Sequence, residues 1–267
     1  MCLLSPFSNA GELTRVNDEA PDERSGLGAV VAEVREGWRL VVVNPVVRAV
    51  NVGLAAGLLG GAMLVPLGPT FAKKVLDDVD AYPLYITALG CGVAAGVALL
   101  TALQQRIPKA EVFCGALYFA GASTLFGVFM STFALQAIGV FGLGLGAGAV
   151  YVLGYTLLQE HTSDEIRGRT FNTFLTLVRL SVLGAMALGP AVSSVLDPLM
   201  SRWISGRSAT GAPAVRWFGV TYAVPGVRVT LWGAGLLVLV AATLASRSIG
   251  WSRRQRRRGG VVVEEGS

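Results

Sequence analysis

Residues 132–158 read TFALQAIGVFGLGLGAGAVYVLGYTLL, a run without one charged side chain. A helix of ~20 apolar residues crosses the hydrocarbon core of a bilayer, and an uncharged run this long is the mark of such a span. Every second residue from Gly142 to Gly148 is glycine. Glycine is frequent where membrane helices approach closely, because its missing side chain lets backbones touch.

Working outward, five further runs of the same kind lie near 47–71, 82–104, 111–130, 171–196 and 228–248. The expected fold class is therefore all-α, a polytopic membrane protein of about six transmembrane helices. Composition agrees: 53% of the residues are hydrophobic and only 15% charged, whereas a soluble domain carries about 25% charged residues. Three units follow. Residues 1–45 form a polar N-terminal segment, 46–249 the six-helix transmembrane unit and 250–267 a basic tail. Within the first unit, Val30, Val34, Trp38 and Val41 share one helical face. That pattern suits a helix lying on the membrane surface, or an ordinary connecting helix.

The turn between the third and fourth runs, at Met130 to Thr132, is so short that these two helices form an antiparallel pair. Lys and Arg bias sets orientation. With the N-terminus inside, fifteen positive side chains fall in cytoplasmic segments and six outside, Arg228 among the latter. This predicts a multi-pass protein of the inner or plasma membrane with both termini cytoplasmic. Arg clusters of this kind flank spans and do not call for nucleic acid as a partner; the lipid bilayer is the expected surrounding.

Arg179 is the one charge well inside a span. It costs several kcal/mol in lipid, so it faces a protein interior or a watery cavity, or else reaches neighbouring carbonyls or the interface. Asn172 and Thr176 precede it on the same helical face, giving a polar stripe that is a candidate substrate path. Tyr151 and Tyr155, Gln136 and Asn51 are further candidates, with interface or packing roles as the alternative. Pro66, Pro69 and Pro190 interrupt apolar helices and mark kinks, with or without motion. No Asp or Glu lies in the interior of a run. The cysteines (Cys2, Cys91 and Cys114) lack metal-ligand spacing and read as packing residues. No HExxH, GxSxG, P-loop or paired-acid pattern occurs, so neither an enzyme nor a metal or other cofactor is expected.

LLQEHTSDEIRGRTFNTF, from Leu157 to Phe174, resembles the loop between the tenth and eleventh helices of major facilitator superfamily transporters, closest to the siderophore and macrolide exporters. Glu165, Arg167, Gly168 and Arg169 stand at the positions of that loop's acidic residue and Arg-Gly-Arg. EVREGWRLVVVNPVVRAV is similar to the lead into the family's seventh helix. Gly96 through Arg106 to Lys109 is similar to a degenerate loop motif, and Gly184 with Gly189-Pro190 to a Gly-Pro antiporter motif. The resemblance spans roughly Glu33 to Ser248. It implies one six-helix half of a twelve-helix fold, with a small-molecule substrate exported by alternating access between two halves. It also implies that Arg106, Glu165, Arg167 and Arg169 are gating or structural residues. The missing half would be a separate chain or a second copy; otherwise the chain is a non-transporting scaffold or a truncated product. On the scaffold reading, the glycine-rich face binds a partner.

Overall fold

The computed structural model describes residues 45–103, 108–160, 164–204, 206, 208, 210–217 and 220–264; residues 45, 164–170, 216, 217, 220, 221 and 251–264 are described as backbone alone. The helices are α1 (Pro45–Ala62), α2 (Leu64–Leu76), α3 (Ala81–Leu103), α4 (Lys109–Phe129), α5 (Phe133–Glu160), α6 (Asp164–Trp203) and α7 (Gly226–Glu264). Six stretches are long and apolar enough to cross a membrane: Val46–Leu76, Ala81–Leu103, Lys109–Phe129, Phe133–Glu160, Phe171–Trp203 and Gly226–Gly250. The chain is an all-α, multi-pass membrane protein. The amphipathic segment within 1–45 lies outside the described residues.

The first span is two helices because of Pro66. Proline has no amide hydrogen to give the carbonyl four residues back, so the ladder is interrupted at the preceding turn. The break falls at Met63, which bonds Gly60 at 3.3 Å in a tighter turn. Pro69 and Pro190, in contrast, lie inside unbroken helices. Gly189, next to Pro190, sits against Met63 and Leu67 at the α1–α2 junction.

The spans pair selectively. The first, third, fourth and sixth (α1, α4, α5, α7) close a ring of contacts. The second (α3) packs mainly on the fourth, and the fifth (α6) packs on the first and sixth. Adding three to each span number maps the second–fourth pair onto the fifth–first, and the third–fourth onto the sixth–first. The first–fourth and third–sixth pairs map onto themselves. Three crossings separate the matched spans, so they run in opposite directions. The fifth–sixth pair has no counterpart of comparable extent: between the second and third spans lies an apolar crevice of about 550 Å³, lined by Leu99, Leu103, Val112 and Phe119 among others.

Glycines set the closest of these contacts. A Cβ on Gly92 or Gly96 of α3 would overlap the carbonyls of Phe141 or Leu145 on α5, and one on Gly144 or Gly148 would overlap those of Leu89 or Val93. Gly142 and Gly146 instead face α4, at Ser123 and at Ala116 and Ala120. Residues two apart point about 200° apart around a helix. The glycine run is therefore two contact faces, and α5 is wedged between α3 and α4.

The chain between the fifth and sixth spans is not a plain loop. The fifth helix continues to Trp203, and a hairpin follows in which β1 (Ala214–Trp217) pairs antiparallel with β2 (Val220–Ala223). The extra helical turns bring Asp197 inside the helix, at the end of the span. Cys114 is buried as expected, while Cys91 is exposed on α3; neither is in a disulfide.

Candidate functional site

Five of the seven candidate path residues lie on the outward sides of α5 and α6. Tyr151, Tyr155, Asn172 and Arg179 are exposed and Thr176 is half-buried. The fifth span buries a narrow stripe (Phe174, Ser181, Ala185, Gly189, Ser193) against its neighbours, with Arg179 on the far side. The Tyr155 and Phe171 rings meet edge to face at 4.9 Å, joining the end of α5 to the start of the fifth span. Beyond that contact α5 and α6 do not pack extensively on each other; α1 packs on both and separates them. The result is a trough between the fourth and fifth spans with the first behind it.

The outward sides of these two spans carry two phenols, an amide and a guanidinium, set among exposed apolar side chains such as Leu175 and Leu183. The Thr176 hydroxyl donates to the Asn172 carbonyl at 2.9 Å, a local helix bond that leaves its oxygen able to accept. Arg179 makes no hydrogen bond or ion pair among the described residues. A guanidinium on the outward side of a span needs an acceptor or water. The arrangement offers a molecule an apolar wall and a fixed positive charge about 12 Å along the helix from Phe171.

Two of the expected path residues are elsewhere. Gln136 is fully buried; it donates to the Met130 carbonyl at 2.8 Å and accepts from the Tyr85 hydroxyl. With both ends of its amide spent, it fastens α3 to the α4–α5 turn instead of lining the trough. Asn51 is also buried, donating to the Val47 carbonyl at 2.9 Å, while its Oδ1 finds no partner among the described residues. Arg106 and the side chains of Glu165, Arg167 and Arg169 lie outside the described residues.

Arg228, counted from the sequence among the external positive charges, is fully buried in the first turn of α7. Its guanidinium donates to the carbonyls of Val128 (2.8 Å), Phe129 (2.9 Å), Met130 (2.5 Å) and Ala223 (2.6 Å), and to the Ser131 hydroxyl at 3.2 Å. Three of these acceptors are the unpaired carbonyls at the C-terminus of α4, where the helix dipole favours a cation. The Tyr222 ring covers the guanidinium at 3.9 Å, and its hydroxyl donates to Phe129 O at 2.6 Å. Burial raises the Tyr222 phenol above its usual range, and Arg228 opposes that rise.

A second clasp lies beside it. Asp197 accepts from Lys74 Nζ at 2.5 Å and from the Gly226 amide at 2.7 Å, and Thr210 donates to the Lys74 carbonyl at 2.9 Å. The first, third, fifth and sixth spans and the hairpin are thus tied at one end of the bundle. Nothing in the local sequence of Arg228 or Asp197 signals this, because the partners lie up to 123 positions away. No family model and no curated protein matches this chain.

Proposed function

We propose that this chain is the C-terminal half of a major facilitator efflux transporter, moving small amphipathic molecules by alternating access. A second six-helix half, or a second copy of the chain, supplies the opposite wall. The observation that carries the reading is the pairing of spans under an advance of three. Each half of a major facilitator protein is itself two inverted three-helix repeats, and substrate binds between halves. The two outlying spans, second and fifth, bury the least of themselves within the chain, as the surfaces that meet a covering half do. Arg179 receives the polar or anionic part of the substrate, and the apolar trough wall receives the rest. The Lys and Arg bias places both termini in the cytoplasm of a cell bearing the protein in its plasma or inner membrane.

The rival scaffold reading rested on a glycine face free to bind a partner. Gly144 and Gly148 are occupied by α3, and Gly142 and Gly146 by α4, so that reading loses its surface.

The test is accumulation of a panel of amphipathic dyes in cells producing the chain. Arg179→Leu is expected to return accumulation to the level of cells without it, with membrane abundance unchanged. Gly144→Leu, which forces α3 from α5, is expected to do the same. Full export by Arg179→Leu alongside loss in Gly144→Leu would contradict the transport reading.

A further inference from the structure

At the end of the bundle away from the hairpin, α1 and α7 leave a crevice of about 520 Å³ between them. Its walls are apolar, from Val52 on α1 and Leu244 on α7, and its mouth carries Arg48, Arg247 and Ser248. Arg48 donates to the Ser248 hydroxyl at 3.3 Å, a long bond that leaves most of its donors unused. Arg247 is exposed and makes no hydrogen bond or ion pair among the described residues. Neither guanidinium meets a carboxylate among the described residues.

Two guanidiniums without a carboxylate partner among the described residues, at the rim of an apolar slot where two spans reach the membrane surface, complement one occupant. It must be anionic at one end and long and apolar at the other, and it must be present in the bilayer. We propose that this crevice binds an anionic phospholipid, with the phosphate between Arg48 and Arg247 and an acyl chain against Val52 and Leu244. Arginine forks match phosphate oxygens in two-point bonds, and basic pockets between membrane helices take anionic headgroups. Packing alone does not require both charges, since α1 and α7 are already joined by buried Val50, Ala242 and Ala245. The site is independent of the transport reading and stands or falls separately from it.

The experiment is native mass spectrometry of the detergent-purified full chain titrated with phosphatidylglycerol, phosphatidylcholine or soluble glycerol phosphate. Phosphatidylglycerol is expected to bind about tenfold more tightly than phosphatidylcholine. The Arg48→Gln/Arg247→Gln double variant is expected to lose that preference, while Arg202→Gln near the opposite end keeps it. Val52→Trp, which fills the slot and keeps both charges, is expected to weaken phosphatidylglycerol binding severalfold. Glycerol phosphate is expected to compete poorly because it has no chain. Equal binding of the two lipids, an undiminished preference in the double variant, or competition by glycerol phosphate as effective as by the lipid would each overturn the proposal.

Discussion

The two ends of the bundle are held by different means. At the hairpin end, side chains bond directly to backbone: Arg228 to four carbonyls, Asp197 to the first amide of α7, Tyr222 to Phe129 and Gln136 to Met130. At the opposite end the cross-links among the described residues are side chain to side chain and partly exposed. They are Lys109 with Glu160, Arg48 with Ser248 and Tyr118 with Ser246. A buried bond to backbone fixes the axial position of a helix end, and losing it strands acceptors that water cannot reach. An exposed charge pair exchanges readily with solvent and contributes little. Among the described residues, the hairpin end of this unit is thus the more firmly held and the other the more compliant.

Three changes probe that asymmetry. Arg228→Met keeps the bulk and removes five donor contacts, leaving the buried carbonyls of Val128 and Ala223 without their donor. Stranded buried acceptors cost about 1–3 kcal/mol each, so a loss of about 3–5 kcal/mol or failure to accumulate is expected. Unfolding of the purified chain in mixed micelles of rising denaturing detergent reads this. Asp197→Ala removes one half-buried pair and one contact to a helix N-terminus, for an expected loss of about 1–2 kcal/mol in the same assay. Lys109→Gln at the compliant end is expected to change stability by about 0–1 kcal/mol. Equal losses for Arg228→Met and Lys109→Gln would erase the distinction between the ends.

Much of the architecture was legible in the sequence because lipid imposes so simple a rule. Charge-free runs of ~20 residues and the Met130–Thr132 turn placed the spans and one antiparallel pair. The Pro66 break also follows from local chemistry. The two-faced glycine run was readable in principle from 100° per residue, yet which helix meets each face depends on distant residues. Arg228 was hidden for a related reason: at the edge of an apolar run it looks like any topology-setting arginine, and its acceptors are backbone carbonyls, which no side-chain pattern reveals. Gln136 misled in the opposite direction, since a polar side chain in a span signals function or a structural bond equally well. Arg179 stood out from its run, but its outward aim came only from the narrow buried stripe opposite it.

On the transport proposal, the Asn172–Thr176–Arg179 side of the fifth span faces a watery cavity and not lipid. The most direct test is labelling of Thr176→Cys by a membrane-impermeant maleimide in intact membranes, with Cys2, Cys91 and Cys114 replaced by alanine and Val240→Cys as the lipid-facing reference. Rapid labelling is expected at position 176, slowed by a transported dye, and none at position 240. Protection of both positions from the aqueous reagent would place the fifth span's polar side in lipid and contradict the account.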